Sequence, residues 1–312
     1  MAARCWWAKQ MKVSMASRVR GVVPGLLLTA LLLCAATLLA QAPQAQDAPK
    51  SDAATKSEAS AKPTTVESHT QKARRLLDEM IAALGGEAWL NYANIEQQGR
   101  TYSFFHGKPT TAGTLLWRYF EYPGKEHLEL SRQRDVIYIY KSDANGEVHG
   151  YEITYKGTAA VEAKDVEEFV RRRDFSLERA MREWLGDPRT VILYVGQSVA
   201  DQQPVEVVSL LNEKNQQVEI GIDLYSHLPI NLRYHWRGPD KYLVTDEVVF
   251  GNYHRVQGIQ TPYTITRLRD GEITSQRFFN RVLYNQKLAP DFFDATVTYD
   301  PATYTPREKK KP

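Results

Sequence analysis

Ala73, Leu76, Leu77, Met80, Ile81 and Leu84 recur at three- and four-residue spacings, and Gly85-Gly86 then ends the run. That spacing predicts an amphipathic helix over 70–85 with a glycine stop, followed by a short turn at Trp89-Leu90. After Asn94 the period falls to about two, which predicts strands at 95–105, 113–122, 126–131, 136–141 and 148–155. The separators Gly107-Lys108-Pro109, Pro123-Gly124 and Asn145-Gly146 are turn signals, so neighbouring strands should be antiparallel. A second helical stretch spans 163–185, with Val166, Phe169, Val170, Leu177, Met181, Trp184 and Leu185 as its apolar members and a break at 174–176. Strands resume at 190–199, 205–212, 218–224, 230–236, 243–253, 261–268 and 273–284. The cleanest alternation is Val218, Ile220, Ile222 and Leu224 against Glu219, Gly221 and Asp223.

These elements predict an α+β fold that is mainly antiparallel β: about a dozen strands, one helix before them and a helical insertion in the middle. No Pro- or Ser-rich linker interrupts the region, so one continuous sheet is expected. A sheet of that size twists and curls, here into an incomplete barrel whose concave face is covered by the N-terminal helix and the mid-chain insertion acting as a lid.

Before the folded region, Arg18 and Arg20 precede an uncharged, leucine-rich run from 21 to 40. This is the pattern of an export signal, with Met11 and Met15 as alternative starts; the run is also long enough to serve as an uncleaved anchor. Residues 1–45 are therefore expected to be a signal peptide or N-terminal anchor, and 46–69 a disordered linker poor in large apolar residues. Residues 70–298 are the expected folded domain, and 299–312 a basic disordered tail carrying Lys309, Lys310 and Lys311. The expected address is periplasmic or exported, the alternative being an inner-membrane anchor with the domain outside the cytoplasm. Both cysteines, Cys5 and Cys34, leave with the leader if it is cut.

The 312-residue chain carries 40 basic and 37 acidic side chains, a near balance that demands no nucleic-acid partner. No histidine pair has a zinc-ligand spacing, and no Gly-x-Ser-x-Gly elbow or phosphate-cradling glycine loop is present, so the chain reads as a non-enzymatic protein without cofactor or metal. Arg171, Arg172 and Arg173 are the densest internal basic run; on a helix they point in three directions, which reads as a solvated face.

The opening segment from Ala73 to Asn91 and the closing run from Asp223 to Ala295 resemble the superfamily of periplasmic lipoprotein carriers and their outer membrane lipoprotein-sorting, LolA-like relatives. Within the closing run the resemblance rests on Leu228-Pro229, Val256-Gln257-Gly258-Ile259, Pro262, and the ending Leu288, Asp291, Phe292 and Phe293. It implies a half-barrel with helices lidding a hydrophobic cavity for a lipid or a lipoprotein acyl chain. An inner-membrane donor and an outer-membrane acceptor would then be partners of a monomeric carrier.

The strand alternation offers Leu116, Phe120, Ile220, Ile222, Tyr234, Trp236, Val248 and Phe250 as cavity lining, and Leu77, Met80, Ile81, Leu84, Phe169, Met181 and Trp184 as the lid. The alternative is an envelope interaction module with a packed barrel and no lipid cargo.

Overall fold

The computed structural model describes residues 67–110 and 112–303. The chain divides into two units, Met1–Lys62 and Pro63–Pro312, and every described residue belongs to the second. The expected leader, most of the linker and the end of the tail lie outside the described residues.

Helix α1 (His69–Leu84) opens on a capping box: Ser68 Oγ accepts the Gln71 amide at 3.2 Å, and Gln71 Oε1 accepts the Ser68 amide at 3.0 Å. Its buried stripe is Ala73, Leu76, Leu77, Met80 and Leu84. Burying each of the four large side chains is worth about 1.5–3 kcal/mol. Gly85 ends the helix at φ +128°, and a Cβ there would stand 2.8 Å from the Gly258 carbonyl oxygen. Only glycine allows both the left-handed φ and that approach. Helix α2 (Glu87–Asn91) follows and buries Trp89.

Fourteen strands then build one antiparallel sheet. They are β1 (Asn94–Phe105), β2 (Lys108–Pro109), β3 (Thr114–Glu121), β4 (Lys125–Leu130), β5 (Val136–Ser142), β6 (Val148–Thr154), β7 (Gly157–Ala160), β8 (Val191–Ala200), β9 (Gln203–Leu211), β10 (Gln217–Asp223), β11 (Pro229–Arg237), β12 (Leu243–Val256), β13 (Ile259–Arg269) and β14 (Glu272–Tyr284). The order across the sheet is β7-β6-β5-β4-β3-β1-β14-β13-β12-β11-β10-β9-β8, with β2 paired to β1 off this path. Two meanders, β3–β7 and β8–β14, are thus joined by β1, which pairs β3 on one side and β14 on the other. The β8–β9, β12–β13 and β13–β14 hairpins close on two-residue turns with positive φ at both positions, Asp201-Gln202, Gln257-Gly258 and Asp270-Gly271. Such turns match the right-handed twist of the strands.

The sheet does not close on itself: β7 and β8 are its two edges. This is the mainly antiparallel, incomplete barrel predicted from the sequence, with β2 and β7 as additional short strands. Between the edges runs the helical segment, α3 (Ala163–Asp174) followed by α4 (Leu177–Arg179), which continues as a π-helical turn over Ala180–Trp184. The break predicted at 174–176 is where α3 ends. Ser176 then caps the next turn through a 3.2 Å bond from the Arg179 amide.

After β14 the chain crosses the convex face. The Phe292 ring stacks on His127 at 4.3 Å, its carbonyl oxygen lies 2.9 Å from His127 Nδ1, and the Thr298 amide donates to the Thr158 carbonyl of β7 at 2.8 Å. The C-terminal segment therefore covers part of one edge of the sheet.

Candidate functional site

Register decides which side chains meet inside the curl. Ile95 faces Phe120 and Gln97 faces Arg118 across β1 and β3, while Phe120 faces Glu126 across β3 and β4. Val248 faces Arg267 and Phe250 faces Ile265 across β12 and β13; Arg277 on β14 lies opposite Ile265. These positions, with Tyr234, Phe169, Phe175 and Arg172 and Arg173 of α3, border an interior cavity of about 150 Å³.

The helical segment bridges the mouth. Phe169 of α3 stacks on Tyr140 of β5 at 4.5 Å, and Phe175 stacks on Tyr234 of β11, also at 4.5 Å. One ring thus rests on each meander. The second half of the segment is latched more firmly: Arg182 donates to the carbonyls of Tyr92 and Trp89 at 3.0 and 2.9 Å, and its guanidinium lies over the Tyr92 and Tyr122 rings. Tyr122 donates to Glu183 at 2.7 Å and Tyr92 to Glu178 at 3.2 Å.

Of the residues expected to line a lumen, Phe120, Tyr234, Val248 and Phe250 border this cavity. Leu116, Ile220 and Ile222 are fully buried in the packed core with Leu77, Met80 and Leu84 of α1, and Ile81 packs beside them. That lobe of the concavity is filled by α1, which lies against β8, β9 and β13. Trp236 stands outside the cavity wall: its indole N–H donates to Asp246 at 3.0 Å, and the Arg171 guanidinium lies 3.5 Å from its ring. In the bridging segment, Phe169 borders the cavity, whereas Met181 and Trp184 join the core.

The wall is more polar than the alternation suggested. Among the described residues, five arginines (118, 172, 173, 267 and 277) and two glutamates (126 and 178) border the cavity. Arg171, Arg172 and Arg173 do not form a solvated face: all three are half-buried, because α3 lies across the mouth and turns part of each guanidinium inward. Arg118 donates to Glu126 and, at 2.8 Å, to Gln97. Burial alone would raise the Glu126 carboxyl, but Arg118, Arg277 and Arg172 outweigh it and hold the group at about 2. Burial and then neighbouring Arg172 lower Arg267 to about 10. Burial, against the pull of Glu126, lowers Arg277 to about 9, with Arg267 adding to the effect. Both remain charged at neutral pH.

The sequence signal for this wall was parity. Ile265 and Arg267 are two residues apart on one strand and therefore share a face. The histidines reach no comparable site. Asp143, Glu147 and His149 come together on an exposed hairpin, where Asp143 already accepts the Asn145 and Glu147 amides at 2.9 Å.

No family model matches the chain, and no curated protein matches it. Solved structures do. A DUF1329 family protein of Desulfovibrio piger matches with a TM-score of 0.50 at 13% identity, over 73% of this chain and 98% of its own. A domain of Vibrio parahaemolyticus named for outer membrane lipoprotein sorting matches at 0.48 and 12% identity, over 72% and 97%, and a LolA superfamily protein of Nitrosomonas europaea at 0.42 and 12%, again over 72% and 97%. At these identities the likeness speaks to fold alone, and the fold is the open, curled antiparallel half-barrel that the sequence resemblance implied.

Proposed function

We propose that this protein is an exported carrier or sensor that holds the acyl part of a lipid or lipoprotein beneath a movable helical lid. The observation that carries the reading is the interior cavity between the half-barrel and α3, bridged by the Phe169–Tyr140 and Phe175–Tyr234 stacks. At about 150 Å³ it matches the volume of a cavity that takes benzene, well below the roughly 300–1,000 Å³ of a drug-sized site. A long chain therefore enters only if α3 moves. Each methylene buried on loading contributes about 0.8 kcal/mol, enough to offset the parting of two ring stacks after a few carbons.

Lipid extraction and native mass spectrometry of the purified protein test this. Stoichiometric co-purifying lipid, or saturable uptake of a fluorescent fatty acid, is expected. A protein that takes up neither has a packed barrel and is not a carrier. A second reading, an interaction module, is favoured by β8, an edge strand that exposes Val191, Leu193, Val195 and Val199. Under that reading, replacing Leu193 and Val195 by lysine abolishes partner capture and leaves lipid uptake unchanged.

A further inference from the structure

The cavity wall changes character along the strands. At the end nearest the β12–β13 turn stand Ile95, Phe120, Phe250 and Ile265; Arg118 lies two residues from Phe120 and Arg267 two residues from Ile265 along their strands, while Arg277 lies directly opposite Ile265. The three arginines come from different strands, so the gradient belongs to the assembled site and is no accident of one local sequence.

Three arginines of the wall already have partners. Arg118 is satisfied by Glu126 and Gln97, Arg172 by Glu168 at 3.2 Å, and Arg173 by Asp174 at 2.9 Å. Arg267 and Arg277 have none: among the described residues neither side chain donates a hydrogen bond or lies within ion-pair distance of a carboxylate, and Arg267 Nε is wholly buried. Neighbouring Arg269 takes the acid that could have served them, bonding Asp246 at 2.7 and 3.2 Å. Both residues are half-buried, but a guanidinium whose Nε is wholly buried without a partner is costly, and planar donors of this kind suit carboxylate or phosphate oxygens.

We infer that the cavity receives an amphiphile with an anionic headgroup, a carboxylate or phosphate, which Arg267 and Arg277 bind while its chain lies along Phe120, Val248 and Phe250. This rests on the carrier reading and adds the headgroup chemistry to it. Loading then adds counter-charge to that of Glu126 as well as apolar burial. Neutral amphiphiles gain the second contribution without the first.

The test is calorimetric titration of the purified, delipidated protein and its Arg267→Met and Arg277→Met variants with dodecanoate, dodecyl phosphate, dodecanol, acetate and inorganic phosphate, below micelle-forming concentrations. Dodecanoate or dodecyl phosphate is expected to bind at least tenfold more tightly than dodecanol, and each variant to lose about tenfold or more of that affinity, the scale of one charge-assisted hydrogen bond. Without ligand, Arg267→Met is expected to melt a few degrees higher than the parent, because methionine removes a guanidinium whose buried Nε has no hydrogen-bond partner; a merely structural arginine would lower the melting temperature. Equal binding of dodecanol and dodecanoate overturns the headgroup inference and leaves the carrier reading standing. Acetate or inorganic phosphate binding as tightly as the alkyl forms overturns it in favour of a small-anion site. Binding of none of the amphiphiles overturns both readings.

Discussion

Among the described residues Glu126 and Glu178 are the carboxylates on the cavity wall, Glu126 is the one bonded to Arg118, and Glu126→Gln isolates its contribution. Gln keeps the shape and an acceptor for the Arg118 Nε–H while removing the charge. In the fold the carboxyl sits at about 2, against an ordinary 4.5, a difference worth about 3 kcal/mol of stability. The sign follows from the depressed value: the contribution is complete above about pH 4.5, where the unfolded chain is also ionised, and is lost as pH falls towards 2. Urea unfolding at a series of pH values between 7 and 2 measures it. The native protein should lose about 3 kcal/mol more than Glu126→Gln over that acid range, other carboxylates contributing equally to both curves. At pH 7 the variant should be weaker by a similar amount, since Arg118 is then left without its counter-charge. Parallel curves for the two proteins from pH 5 down to 2 would refute the reasoning and mean that the arginines reach solvent and do not act on Glu126.

Other outcomes can be checked with less labour. Phe169→Ala removes the ring that ties α3 to Tyr140, and a loss of about 3 kcal/mol in urea unfolding is expected, together with faster uptake of a fluorescent fatty acid in stopped flow; unchanged uptake would mean that α3 is not the gate. Gly85→Ala forces a Cβ to within 2.8 Å of the Gly258 carbonyl at φ +128°, and should lower the melting temperature by several degrees, whereas a silent substitution would contradict the close approach. Ser68→Ala loses the cap of α1 and should cost about 1 kcal/mol by the same urea assay.

The strand and helix pattern was legible because each element obeyed a local rule. Val218, Ile220 and Ile222 alternate strictly because β10 has one face on the core, and all three are fully buried. The break in the second helical stretch was readable from Asp174 to Ser176 because Ser176 caps the turn that begins at Leu177. The short β7 was not, since four residues with two alanines carry too little periodicity, and its place is secured by the distant Thr298. The site was only half legible for a related reason. Apolar alternation marks residues that avoid water, and it cannot distinguish Ile220, which packs under α1, from Phe250, which borders a cavity. It also passes over inward arginines, because a charged residue in a strand normally indicates the solvent face.

Topology explains why lid, open edges and charged interior occur together. The segment from Ala163 to Trp184 joins β7 to β8, the two edges of the sheet, so it must pass over the opening that those edges leave. A closed barrel would give that connection nowhere to lie except outside. With the sheet open, α3 can present arginines inward at 172 and 173 while Phe169 and Phe175 rest on opposite meanders. Moving α3 therefore changes two things at once: it enlarges the cavity, and it carries Arg172, with its partner Glu168, away from Arg267 and Arg277. Withdrawing Arg172 would lessen the mutual repulsion inside the wall. Under the proposed carrier role an arriving anion would lessen it further when α3 returns, so opening and loading would be coupled through the same guanidiniums, and a lid without charges would lack that coupling.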